Sequence, residues 1–210
     1  MRTTHALLIT AAALVVFGAP ARAQNLWTVS VNPSFGANLF LSKLPTRFNI
    51  RGRDGDMPVF SGSLTNLLTM RNSLGLRYGR HVGLEAIFSL SPSSLQSNNQ
   101  EDMSVDVMGW GLNGFFYLPL GKSGREVFVS GGLGMKRYDF FYFRTEAENA
   151  WTWNIGAGGN IPINKRIAVH LEARDHISTF NSNMPGVSPA RQNDVQVSVG
   201  LALSVNRENN

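Results

Sequence analysis

The stretch Asp194-Val195-Gln196-Val197-Ser198-Val199-Gly200-Leu201-Ala202-Leu203-Ser204-Val205 carries valine or leucine at every odd position. The even positions hold Asp194, Gln196, Ser198, Gly200, Ala202 and Ser204. Successive side chains of a β-strand point to opposite faces, so this stretch predicts a strand with one apolar and one polar face.

The same alternation runs back through the chain. Trp27 to Leu41 places Trp27, Val29, Val31, Pro33, Phe35, Ala37, Leu39 and Leu41 on one face, with mostly Ser, Thr, Asn and Gly on the other. That length exceeds an ordinary soluble strand and suits a tilted membrane crossing. Ser63 to Tyr78 follows the pattern except at Asn66 and Asn72, where a local bulge could re-aim one of them. Val82–Leu90, Val105–Leu118, Val127–Met135, Trp151–Ile161 and Ile167–Arg174 complete eight segments. In the fourth, parity turns Phe115 and Tyr117 toward the polar face.

The connections test this reading independently. Ser42–Gly62, Ser91–Asp102, Asp139–Ala150 and Ile177–Asn193 are long, whereas Gly79–His81, Pro119–Glu126 and Pro162–Arg166 are short. Long external loops alternating with short periplasmic turns belong to an up-and-down membrane barrel, with both termini periplasmic. A soluble ligand-binding barrel of the lipocalin kind turns its apolar face inward. Here the charges and asparagines fall on the inward face. The expected fold is all-β: an eight-stranded antiparallel up-and-down transmembrane β-barrel, in the cell outer membrane.

The N-terminus reads as a leader. Arg2 precedes an apolar stretch from Ala6 to Ala19, and Ala21-Arg22-Ala23 supplies a small-x-small cleavage site. Residues 1–23 are therefore expected to be a cleaved signal peptide and 24–210 the barrel domain. The chain has no cysteine, which excludes lipoprotein attachment, disulfides and thiolate metal sites. The net charge of +5 falls to +3 without Arg2 and Arg22. The basic residues are scattered, so no nucleic-acid partner is expected.

By parity Arg71, Arg77, Glu85, His170, Glu172 and Arg174 point into a lumen just wide enough to be filled by side chains. Opposite charges there must pair, because an unpaired buried charge costs several kcal/mol. These six residues predict a salt-bridge network that plugs the lumen; the competing reading is a gated pore or proton path. Aromatic residues fall into two bands, as girdles at the two lipid interfaces would. Trp27, Tyr78, Phe116, Tyr117 and Phe128 form the periplasmic band. Phe40, Tyr138, Phe140, Phe141, Tyr142, Phe143, Trp151 and Trp153 form the external one. Of these, Trp27, Tyr78, Trp151 and Trp153 are expected at the lipid interfaces.

External basic residues are the remaining binding signal. Arg47, Arg51 and Arg53 fall in the first loop, with Lys136, Arg137 and Arg144 beside the third; cations there can pair with lipopolysaccharide phosphates, the competing reading being an ordinary solvated loop. Asp54-Gly55-Asp56 lacks the spaced ligands and closing Glu of a calcium loop, so no metal is expected. Gly156-Ala157-Gly158-Gly159 is followed by no helix and is no phosphate loop. No cofactor and no catalytic residue is expected.

The glycine-spaced strands Val129-Ser130-Gly131-Gly132-Leu133-Gly134 and Asn154-Ile155-Gly156-Ala157-Gly158-Gly159-Asn160 resemble the small outer-membrane barrel superfamily. So does Val169-His170-Leu171-Glu172-Ala173-Arg174-Asp175, with its inward charges. That superfamily includes OmpX-like proteins and the transmembrane domain of OmpA. The resemblance implies outer-membrane lipid as surroundings, insertion by the barrel-assembly machinery, and a structural or surface-contact role in the envelope. The chain departs from it in ending Val205-Asn206-Arg207-Glu208-Asn209-Asn210, without the usual final aromatic, and in having no peptidoglycan-binding domain after the barrel. His176-Ile177-Ser178 resembles the His-x-Ser of outer-membrane lipid A deacylases, which implies a hydrolase as the alternative. Against it, parity turns both side chains to the lumen and no Glu follows closely.

Overall fold

The structure, a computed structural model, describes residues 27–41, 48–49, 59–60, 62–64, 67–97, 103–121, 123–140, 148–180 and 190–205. The expected leader, Asn66, Arg47, Arg51, Arg53, Phe141, Tyr142, Phe143 and Arg144 lie outside the described residues. The strands are β1 (Trp27–Val31), β2 (Ser34–Phe40), β3 (Phe48–Asn49), β4 (Val59–Phe60), β5 (Gly62–Leu64) and β6 (Leu67–Tyr78). They continue with β7 (Val82–Ser97), β8 (Met103–Leu120), β9 (Arg125–Phe140), β10 (Glu148–Pro162), β11 (Ile167–Phe180) and β12 (Ala190–Val205).

Consecutive strands from β6 to β12 pair antiparallel, and β1 and β2 pair with both β6 and β12. The sheet therefore closes on itself into an up-and-down ring. Among the described residues, β6 to β12 and the β1–β2 crossing are each paired on both sides, as a sheet in lipid requires. β1 and β2 act as one crossing. Across the break Asn32 still exchanges backbone hydrogen bonds with Ser73 (2.9 and 3.3 Å), and the Pro33 carbonyl accepts from Leu201 N at 3.0 Å. Proline removes one donor without shifting the register.

At one end the strands join through Gly79–His81, residues 121–124 and residues 163–166. Gly79 has φ 61° and Gly121 φ 65°, left-handed conformations that glycine adopts at no steric cost. The other end carries the long connections. There the strands outrun the sequence reading. β7 was expected to stop at Leu90, yet the β7–β8 ladder continues to Leu95↔Met103. β9 likewise extends to Phe140 and β11 to Phe180. The ladder is held by backbone bonds, whereas the alternation marks only where one face meets apolar surroundings. Ser91 and Ser93 are buried and Pro92 is exposed, so parity persists without an apolar signal.

Between Leu64↔Leu95 and Met70↔Leu90 the β5–β6 side advances six residues against five on β7, a one-residue offset of the kind a bulge in that stretch produces. Beyond that offset the register of β6 with β7 runs unbroken from Met70↔Leu90 to Tyr78↔Val82, so Asn72 itself is not re-aimed and stays on the outer face. Leu84, Leu112, Ile155 and Trp151 are exposed on the outside, whereas Arg71 and Glu172 are buried inside. This inverts the pattern of a soluble protein. A direct check is Leu112→Arg at mid-wall, where Leu112 is 69% exposed. In lipid the change is expected to cost about 2–4 kcal/mol, read from the urea dependence of folding into phosphatidylcholine vesicles. A change near zero would mean that the outer face meets water.

Candidate functional site: the charged lumen

Alternate positions of eight tilted strands bring the charges together in three tiers along the axis. At the short-turn end, Arg77 Nη1 donates to Glu126 Oε2 at 2.8 Å. Asn160 Nδ2 donates to Glu126 Oε1 at 2.9 Å, and Asn160 Oδ1 meets His170 Nδ1 at 2.8 Å. The Arg77 guanidinium lies 4.2 Å from the Tyr117 ring centroid. Phe128 stacks on His170 at 5.2 Å and meets Phe115 and Tyr117 at 5.2 and 5.8 Å. Such offset and edge contacts suit the ring quadrupoles.

The middle tier is the densest. Glu172 receives Arg71 on Oε2 and Arg174 on Oε1, while Arg71 Nη2 also meets Glu85 Oε2 at 3.3 Å. Asn32 Nδ2 donates to Glu85 Oε1 at 3.1 Å and to Ser73 Oγ at 3.2 Å. Arg174 also donates to Asn154 Oδ1 at 2.5 Å and Ser130 Oγ at 3.2 Å. Two guanidiniums thus face two carboxylates. At 2% exposure each, neither arginine has water to fall back on.

Toward the long-loop end, Lys136 pairs with Asp194. Beside that pair, Tyr138 donates to Gln192 Oε1 at 2.6 Å, and His176 Nε2 meets Gln196 Oε1 at 3.4 Å. Charges balance within each tier. That is the arrangement in which low dielectric strengthens attraction without leaving a naked ion.

All six charges singled out by parity face this interior, Arg77 being the most open of them. Several sequence assignments need correction. Lys136 and Tyr138 were placed at the external surface, and Tyr117 and Phe128 in the periplasmic lipid band; all four point inward. Phe40 is also inward by register, opposite Asp194. The parity of β9 runs Phe128, Ser130, Gly132, Gly134, Lys136, Tyr138 without a break, so continuing the count past Met135 would have found the lysine. Asn32 and Asn160 fall on the polar face by parity, yet only the fold says what lies opposite them; Glu126 falls within the expected Pro119–Glu126 connection, whereas β9 already begins at Arg125.

On the outside, Trp27, Tyr78, Trp151 and Trp153 are exposed, with Trp27 and Tyr78 ring centroids 4.8 Å apart. Arg137 is also exposed on that face. His176 and Ser178 both point inward. His176 bonds Gln196, and Ser178 Oγ takes no hydrogen bond, so no serine–histidine pair is assembled.

No curated protein sequence matches this chain. Its fold is similar to that of the outer membrane protein OprG from Pseudomonas aeruginosa. The TM-score is 0.64 at 10% identity, over 87% of this chain and 97% of that one. It is also similar to Neisserial surface protein A, with TM-score 0.55 at 8% identity, over 84% of this chain and 96% of that one. At such identities the likeness concerns the fold alone. The family model for the outer membrane protein β-barrel domain matches residues 9–202. With nearly the whole sequence matched and the strands closed in an apolar-out ring, the chain belongs to the outer membrane β-barrel family.

Proposed function

We propose that this protein is an outer-membrane barrel whose lumen is plugged, with a structural and surface-contact role in the cell envelope and no catalytic role. On this reading residues 1–23 are removed on export, the assembly machinery inserts the barrel, and the long loops face outward. The single observation behind it is the stack of three charge-balanced tiers. Arg71, Arg77, Glu85, His170, Glu172 and Arg174 work together as the plug, aided by Lys136 and Asp194. An ion entering the lumen would have to displace buried pairs, each costing several kcal/mol to break. Trp27, Tyr78, Trp151 and Trp153 anchor the wall at the two interfaces, and outer-membrane lipid is the standing partner.

Planar-bilayer recording tests the plug. The purified, refolded protein is expected to give no steady conductance across a range of voltages. Stable, reproducible conductance steps from heat-modifiable, folded protein would overturn the plugged reading in favour of a pore.

A further inference from the structure

The outer wall is not evenly covered. Across β7 to β12 runs a shallow apolar groove of about 790 Å³. Its floor is Gly114, Gly131, Ala157 and Ala173, and Leu84 and Phe116 stand at its rim. One row of register partners crosses it: Leu84, Gly114, Gly131, Ile155, Asp175 and Val195. Six strands about 4.8 Å apart make that row about 24 Å long. Because barrel strands tilt, it descends from the long-loop half of β12 to the short-turn end of β7.

The backbone does not ask for glycine on this floor. Neither Gly114 nor Gly131 has a positive φ. A Cβ on Gly114 would come no nearer than 3.9 Å to any atom, and one on Gly131 no nearer than 3.6 Å. Glycine within a strand weakens it. These two therefore keep space open on the lipid side rather than serve the fold.

The upper end of the groove is polar. Asp175, half-buried, lines it from the outer face of β11, and of its carboxylate the Oδ1 is shielded and takes no hydrogen bond. Two rungs further out, Arg191 is exposed on β12 opposite Thr179, and Arg137 is exposed on the outer face of β9. Among the described residues neither arginine makes an ion pair. Trp151 and Trp153 lie on the wall between them. An ammonium headgroup would match Asp175 and leave the arginines facing another cation. Phosphates above, with an amide or hydroxyl donor at the head of an acyl chain, match both levels.

We propose that this groove docks one phosphorylated lipid of the outer leaflet, with the chemistry of lipid A. Its phosphates meet Arg191 and Arg137, an amide or hydroxyl donor meets Asp175, and one acyl chain lies over the Gly114–Gly131 floor. The inference rests on the membrane orientation proposed above.

The test uses the full chain folded in detergent micelles doped with lipid A or with phosphatidylethanolamine, followed by native mass spectrometry. Wild type is expected to retain a single lipid A in preference to phosphatidylethanolamine. Gly131→Leu and Ala157→Leu, which fill the groove from its open side, should each reduce retention about tenfold, and Arg191→Ala, outside the groove, by a similar factor. Wild-type retention in all three folded variants, a preference for phosphatidylethanolamine, or a dimer in place of bound lipid would overturn the proposal. Heat-dependent gel mobility verifies folding of each variant. A wild-type chain with no heat-dependent shift would sink the barrel reading itself, whereas a shifted chain that retains no lipid A would sink only the groove.

Discussion

Glu172→Ala is expected to destabilise the folded barrel by about 3–5 kcal/mol. Glu172 is the hub of the middle tier: it holds Arg71 and Arg174 and lies 3.6 Å from His170 Nε2. Removing it leaves two buried guanidiniums with Glu85 as their one remaining carboxylate in that tier. The loss comes from stranding the arginines rather than from the intrinsic strength of the pair. A double variant, Glu172→Met with Arg174→Met, removes one charge of each sign and keeps Arg71–Glu85. It should recover most of the loss, since apolar replacement of a buried pair is often neutral or stabilising. The urea midpoint of the heat-modifiable band in vesicles measures both. Equal losses in the single and double variants would show that packing volume, not charge, governs the tier.

Gly132→Val and Gly131→Val, one residue apart, should behave in opposite ways. Gly132 faces inward opposite Asn113, and a Cβ there would run into the Leu112 carbonyl oxygen and the Asn113 side chain. Backbone cannot step aside as a side chain can. Gly132→Val is therefore expected to cost at least the about 1–3 kcal/mol typical of overpacking, lowering the fraction that folds. Gly131 faces the groove with ordinary clearance, so its valine variant should fold like wild type. The yield of heat-modifiable protein after refolding reads both. Matching yields would mean that the β8–β9 seam can relax, removing the steric argument for the inward glycines.

Much of this architecture was legible in the residues. Strand number, the alternation of short and long connections, and the inward face of Arg71, Arg77, Glu85, His170, Glu172 and Arg174 follow from period-two alternation, which is local and survives any arrangement of neighbours. Misreadings began where the alternation loses contrast. Lys136 and Tyr138 were assigned outward because the count on β9 stopped at Met135, where apolar residues gave out although the strand did not. Ser91 was read as the start of a loop because serine on both faces carries no apolar signal, yet β7 keeps its ladder with β8 there. Tyr117 and Phe128 were placed in the lipid band because aromatics near strand ends usually lie at the interface. Inside a narrow lumen they instead stack with His170 and Arg77.

By itself the sequence determined that the chain closes as an apolar-out barrel, and that Arg71, Arg77, Glu85, His170, Glu172 and Arg174 are among the charges facing its lumen. A side chain's face depends only on its place in its own strand. Which charge meets which was decided by the tertiary structure alone. Arg71 reaches Glu172 across 101 residues of chain, and Lys136 reaches Asp194 across 58. Those meetings depend on the stagger and tilt that accumulate as eight strands close. No single strand encodes that sum, so the three tiers, and the groove left open outside them, exist only once the ring is shut.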